Sequence, residues 1–475
     1  MHTSTDTSPW NALPALLAGA VMVVLDFFIV NVALPSIAVD LRASASSLIW
    51  VVAGYGLSFA AFLILAGRAG DRFGHRRVYV AGVAVFTLAS AACGFAPTIA
   101  TLIAARFIQG GAGAIVMPQV LTIIGNGFRG PAYARAMSIY GIALGLAAIG
   151  GQVIGGALVE GDVAGLGWRS CFLINVPIGV AAVVAAPKLI PESRAAAAGR
   201  LDLGGAGLLA AGLAAMLLPL VEGQQFGWPL WTWVSFAVAE VVLTVFVLQQ
   251  RWLARRGRDP LVDLRMLRNR TFSAGLVAQL MLGCAQASFF VYLALYLQDG
   301  RGLNPLDAGL VFTVVAVGYV AASGPAPGLL QRHGRVVIAA GGLSLAAGLG
   351  LLAVAVEALG VGGSVVALTP GLLLAGVGIG LCYTPIQATV MSSVTTAQRG
   401  AAAGVSATIT QVGYALGVAV TGVIYFAHDS AGIAHAFELS LVELAALGVV
   451  LVATTRLLPG RTPAPASPAA AVVGS

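Results

Sequence analysis

The chain has 475 residues, 59% of them hydrophobic and only 9% charged, with a mean hydropathy of +0.94 and a formal net charge of +7. A soluble domain carries about 25% charged residues, so this composition excludes a soluble globular protein and predicts an integral membrane one. The positive balance is no sign of nucleic-acid affinity, because the basic residues are sorted along the chain by position.

The apolar runs are longer than the roughly 9–11 residues of a barrel strand and do not alternate, so the predicted fold class is all-α. Fourteen spans are expected, at 11–34, 47–66, 78–96, 98–124, 134–158, 170–189, 203–221, 230–250, 271–297, 305–330, 336–356, 364–390, 401–425 and 435–457. No cleavage pattern precedes the first run, which is expected to be a retained span. Near its middle stands Asp26, in VMVVLDFFIVNVALP. A charge at that depth costs about 2.5–3.5 kcal/mol on insertion scales, so it should face an interior or a water-filled path. Two readings of Asp26 stand. It either bonds a neighbouring helix for structure alone, or it carries a proton, since burial and a nearby cation act on a carboxylate in opposite directions.

Between spans 2 and 3 lies GRAGDRFGHRR, a connection expected to begin and turn on Gly67 and Gly74 and to carry Asp71, Arg72, Arg76 and Arg77. Span 4 holds Arg106, the one arginine set deep within a span rather than near its end. Asp26 lies eight residues before Leu34 and Arg106 eight after Thr98. Each is therefore roughly 12 Å from the outer boundary at 1.5 Å per residue, which allows contact between them. Arg106 either holds the bundle through backbone carbonyls or takes part in a proton relay.

Span 5 carries Gly151, Gly155 and Gly156, residues that permit close helix contact, with Gln152 among them. Spans 7 and 8 match nothing else in the chain. Glu240 in span 8 and Glu443 in span 14 are expected to be hydrogen-bonded packing residues. The stretch Arg251–Arg270 reads as a basic cytoplasmic segment against anionic lipid headgroups. The tail from Pro459 reads as disordered.

With the amino terminus placed inside, three of the 25 basic residues (Arg42, Arg169 and Arg301) fall on outer connections. All the others except Arg106 fall on the inner side, among them Arg200, Arg399 and Arg461. This bias predicts a multi-pass protein of the cytoplasmic membrane with both termini inside. The chain also repeats at about 260 residues, where PGLLQRHGRVV follows GRAGDRFGHRR, and Gly413 and Gly417 follow Gly151 and Gly155. At that spacing Gln286 answers Asp26. Two six-span halves related in this way are the parallel repeat of a transporter. The expected divisions are 1–190 and 271–458 for the halves, 191–250 for the inserted pair, 251–270 for the basic segment and 459–475 for the tail.

Cys93, Cys171, Cys284 and Cys382 are scattered at or within spans and form no metal-type pair. The five histidines fall in loops, the tail or span ends, which lowers the case for an enzyme. Neither a metal nor an organic cofactor is expected.

LDFFIVNVALPSIAVDL, GRAGDRFGHRR, RFIQGGAGAIVMP, WRSCFLINVPIG and YLQDGRGLNPLDAGL together resemble the major facilitator superfamily, and within it the fourteen-span drug:proton antiporters. The resemblance covers almost the whole chain. It implies two six-helix bundles with two inserted central helices, rocking around a mid-membrane cavity and driven by a proton gradient. It also implies that the segment around Asp71 latches the outward-facing state. The expected cargo is an amphipathic, mainly apolar small molecule. Candidate contacts are Phe27, Phe28, Asn31, Gln109, Met117, Gln152, Gln279, Gln286, Phe290, Tyr292, Tyr296, Tyr383, Gln387, Gln411 and Tyr414, of which about half should touch ligand. Gln152 stands where the antiporter motif of span 5 has proline. A proton symporter or an uncoupled facilitator therefore stays open beside the antiporter, and a non-transporting receptor is the alternative from another class.

Overall fold

The computed structural model describes residues 9–194, 202–258, 260–262, 264–394 and 399–460, so Arg200, Arg461 and most of the expected tail lie outside the described residues. Among the described residues, fourteen helices are long and apolar enough to cross a membrane. They are α1 (Pro9–Leu41), α2 (Ala45–Phe73), α3 (His75–Gly94), α4 (Ile99–Gly127), α5 (Gly130–Glu160), α6 (Gly167–Leu189) and α7 (Leu203–Glu222). There follow α8 (Leu230–Arg255), α9 (Arg270–Gly300), α10 (Pro305–Ser323), α11 (Val336–Leu359), α12 (Val365–Ser392), α13 (Arg399–His428) and α14 (Ile433–Leu457). No strand occurs among the described residues.

The helix starts follow local chemistry. Ser44 accepts from the Ser47 amide, Thr98 and Thr101 close a reciprocal capping box, and Asp202 accepts from the Gly205 amide. Asn269 caps α9 and Asn304 caps α10, where Pro305 follows at the first turn. Two ends differ from expectation. α1 runs past Pro35 to Leu41, and beside that proline the Val32 carbonyl accepts a 2.9 Å bond from Gln298 Nε2 on α9. Neighbouring helices can supply such bonds where proline interrupts a ladder in the membrane. Span 10 was expected to reach 330 but stops at Ser323. Pro325 and Pro327 offer no amide donors, and a separate short helix, Ala326–His333, follows.

α1–α6 pack together, as do α9–α14, while α7 leans on α2 and α13 and carries α8 outside it. The internal repeat is visible in the turns. Gly74 between α2 and α3 has φ +99°, and Gly334 before α11 has φ +58°. Arg76 Nη1 donates to the Pro187 and Ile190 carbonyls at the end of α6. Arg335 Nη1 does the same to the Arg456 and Leu458 carbonyls at the end of α14. In each half, an arginine beside a turn glycine therefore ties the last helix down.

The two halves meet through α2 with α13, α5 with α10, and α1 with α9. The contacts lie in the middle and toward the ends expected to be outside. A Cβ on Gly156 would come within 2.8 Å of Leu306 Cα, and one on Gly422 within 2.7 Å of Ile49. Tyr383 on α12 lies near Tyr140 on α5, Tyr319 on α10 and Tyr414 on α13, yet is 40% exposed. The Tyr383 side chain is therefore accessible at that level, toward the ends expected to be cytoplasmic.

Candidate functional site

Asp26 and Arg106 are in contact, and neither is exposed to any degree. Arg106 Nη1 lies 2.5 Å from Asp26 Oδ2. The other carboxylate oxygen, Oδ1, accepts 2.8 Å bonds from Gln109 Nε2 and from Asn175 Nδ2. Arg106 Nε donates to the Val51 carbonyl at 3.0 Å, and its Nη1 also donates to Gln109 Oε1 at 2.8 Å. Ser90 Oγ accepts from both Gln109 and Asn175 at 3.0 Å and donates to the Phe172 carbonyl. The guanidinium sits 4.3 Å from the Tyr55 ring centroid and 5.7 Å from that of Phe172. Five helices, α1, α2, α3, α4 and α6, thus converge on one carboxylate.

A buried ion pair holds only when the remaining lone pairs and protons are satisfied. Here Asp26 is fully served, while Arg106 Nη2 and Asn175 Oδ1 have no partner among the described residues. Ser90 and Asn175 were not among the expected residues. Asn175 lies inside WRSCFLINVPIG, and it meets Asp26 only through the packing of α6 on α1. Gln109, expected in the substrate cavity, belongs instead to this closed cluster.

From the cluster a run of rings leads to the other half. Tyr55 lies 5.9 Å from Phe27, and Phe27 stacks on Tyr414 at 5.1 Å. Phe28 meets Phe290 at 5.5 Å, which stacks on Phe312 at 5.4 Å. Tyr414 donates a long 3.4 Å bond to Gln286 Oε1. This aromatic layer lies where the two halves meet.

Below it, the second half presents neutral groups. Gln279 Nε2 donates to Gln387 Oε1 at 2.9 Å, and Ser406 Oγ lies 2.6 Å from Gln279 Oε1. Met117, Gln387, Gln411 and Tyr383 are partly or well exposed. Two expected contacts are misplaced. Tyr292 is fully buried with its hydroxyl on the Val418 carbonyl, and Tyr296 with its hydroxyl on the Gly360 carbonyl and its ring on Phe437. Both are packing residues, because their polar ends are already bonded within the second half. Asn31 is buried with Oδ1 unpartnered.

Gly151 and Gly155 lie against α1 at Phe28 and Ile29, and Gly156 against α10. Gln152 is 1% exposed, and neither its Oε1 nor its Nε2 has a partner among the described residues. Its backbone carbonyl faces Gly309 on α10, so it sits at the seam between halves.

The segment from Gly67 is not a loop, which corrects the expectation. α2 continues through Gly67, Asp71 and Arg72 to Phe73, and only Gly74 turns the chain. A helix tolerates the open side of Gly67, where an added Cβ would meet nothing within 4 Å. Asp71 Oδ1 is 3.4 Å from His75 Nε2, and His75 Nδ1 is 2.8 Å from Gln119 Oε1. Arg76 and Arg77 each reach Glu192 at 3.6 Å, a partner that sequence reasoning missed because it lies more than a hundred residues away. Arg72 lies over the Phe73 ring. Among the described residues these bonds all stay within the first half.

Glu443 accepts a 2.9 Å bond from Thr421 Oγ1. Glu240, also expected to be bonded, is exposed on α8 and has no partner among the described residues. The four cysteines are free and buried, and no group of His, Cys, Asp and Glu among the described residues could hold a metal.

Comparison with known proteins adds the lineage. The family model of the Major Facilitator Superfamily matches residues 16–418. The chain is 36% identical over 454 residues to a probable actinorhodin transporter of Streptomyces coelicolor, covering 94% of this chain and 78% of that protein. It is 32% identical to a tetracenomycin C resistance and export protein of Streptomyces glaucescens, covering 88% and 76%. A POT family transporter solved with 5-aminolevulinic acid has a TM-score of 0.67 at 11% identity, covering 96% and 97%, a likeness of fold alone.

Proposed function

The chain belongs to the major facilitator superfamily, and from that premise we propose that it exports amphipathic, drug-like small molecules across the cytoplasmic membrane in exchange for protons. The similarity to an antibiotic transporter and to an antibiotic export protein supports the export direction and the antibiotic-like cargo. Two six-helix halves packed along one seam support alternating access.

The observation that carries proton coupling is the Asp26 cluster. A carboxylate sealed in the first half and bonded to Arg106, Gln109 and Asn175 is one charge state of a site that can exchange a proton when the seam opens. Arg106 tunes that site, and the run Tyr55–Phe27–Tyr414 lies between it and the second half. Cargo would occupy the space flanked by Tyr383, Gln387 and Met117, beneath the aromatic layer. The segment from Gly67 to Arg77 acts as a gating element, and the protein is no enzyme and uses no cofactor beyond the proton gradient. Both termini lie in the cytoplasm, with the basic 251–270 segment against anionic headgroups.

Everted membrane vesicles test the proposal. Adding tetracenomycin C or another polycyclic antibiotic to an imposed pH gradient should dissipate it, and the Asp26→Asn variant should not. A second reading, symport or uncoupled facilitation, rests on Gln152 in an α5 that runs without a proline kink. Under that reading cargo moves but the gradient is untouched or changes in the opposite sense. A receptor would bind cargo and move none.

A further inference from the structure

α8 is the most exposed of the fourteen spans, and its one packing partner of any extent is α7. Between the two lies a groove of about 490 Å³, open to the side and walled by Met216, Phe236, Leu243, Val247 and Leu248. That volume lies within the range of about 300–1,000 Å³ typical of small-molecule sites. One carboxylate stands in this apolar groove. Glu240 is ten residues along α8 from Leu230, roughly 15 Å in at 1.5 Å per residue, and so near the middle of the bilayer. It is exposed, and no group among the described residues bonds to it. The nearest cation on the groove wall, Arg251, is three turns further along.

We propose that the groove between α7 and α8 is a binding site, open to the bilayer, for lipophilic cations, whose ammonium pairs with Glu240 while the hydrocarbon lies along the apolar wall. The argument is charge complementarity. A carboxylate at this depth is costly unless paired, and intramembrane acids normally pair with a cation or line an aqueous path. Glu240 does neither, since it sits outside both bundles and far from the cavity between them. An amphiphile with a cationic head and an alkyl body matches the acid and the wall together. A phospholipid does not, because its charges stay at the interface, whereas Glu240 lies near the midplane. In an exporter of amphiphiles the site would gather cationic members from the membrane at the protein's flank. That last clause rests on the function proposed above, whereas the binding site does not.

The test is photolabelling of the full chain in phosphatidylcholine nanodiscs, with fragments located by mass spectrometry. The probes are dodecyltrimethylammonium carrying a terminal diazirine and its neutral dodecanol analogue. The cationic probe should label residues 236–248 and Met216 at least tenfold more strongly in the intact protein than in Glu240→Gln. The neutral probe should label both proteins alike. Met216→Trp, which fills the groove and leaves the acid, should also abolish cationic labelling. Equal cationic labelling of intact protein and Glu240→Gln would overturn the proposal. So would crosslinks between residues 236–248 of two copies, which would make a second chain the occupant. Because labelling needs no transport, its failure is separate from a failure of the exporter reading.

Discussion

Asn175 Nδ2 and Gln109 Nε2 both lie 2.8 Å from the same oxygen of Asp26, so the carboxylate is held from α4 and α6 together while Arg106 takes its other oxygen. Two amides on one oxygen make the ionised form of the site well bonded without adding charge.

Removing one partner of a buried ion pair leaves the other charge uncompensated, at about 3–5 kcal/mol. Asp26→Asn should therefore lower the melting temperature in detergent as well as stop proton-driven efflux. The double variant Asp26→Asn with Arg106→Gln should recover most of the stability and none of the coupled export. If the double variant still acidifies or alkalises vesicles on adding cargo, Asp26 is not the proton site.

The Tyr55 ring lies 4.3 Å from the Arg106 guanidinium and 5.9 Å from Phe27, so it joins the charge to the seam. A cation–π contact is worth about 0.5–2 kcal/mol depending on desolvation. Tyr55→Phe keeps the ring and should export at close to the normal rate. Tyr55→Leu should cut export several-fold in a vesicle uptake assay while cargo still binds.

A side chain at Gly156 would run into Leu306 of the opposite half, where even a Cβ comes within 2.8 Å of the backbone. Gly156→Leu should therefore force the outer ends apart. With Val32→Cys in the same chain, a membrane-impermeant maleimide added from outside should react much faster than in the Val32→Cys protein alone. Equal rates would mean that the outer seam is not where the halves close.

Gln152 is buried at the same seam with both amide atoms unpartnered among the described residues. An unsatisfied buried polar group costs about 1–3 kcal/mol. Gln152→Leu should raise the melting temperature and favour the outer-closed shape, slowing turnover at saturating cargo. An unchanged melting temperature would show that the amide is satisfied in solution.

Much of this was legible in the chain, for reasons that differ by residue. Asp26 and Arg106 could be set level because helix rise is fixed, so counting residues from the span ends measures depth. The faces of the helices were not legible. Spans apolar all round give no periodic stripe, and so Tyr383 in the cavity and Tyr292 and Tyr296 in the packing looked alike. The segment at Gly67 reads as a loop from its glycines alone, whereas a helix accepts glycine at modest cost and only the positive φ of Gly74 ends α2. Glu192 and Asn175 were missed since their partners are remote in sequence and each is a single polar residue with no pattern around it.

The neutral balance of the Asp26–Arg106 pair has an electrical consequence. While the carboxylate is ionised, the core of the first half carries no net charge, and the voltage across the membrane exerts no net pull on it. Were Asp26 to take up a proton, as proposed above, the same core would carry one positive charge. A charge crossing the whole field is worth about 2.3 kcal/mol per 100 mV. An exporter built this way would be voltage-sensitive only on the proton-loaded leg of its cycle, even when its cargo is uncharged.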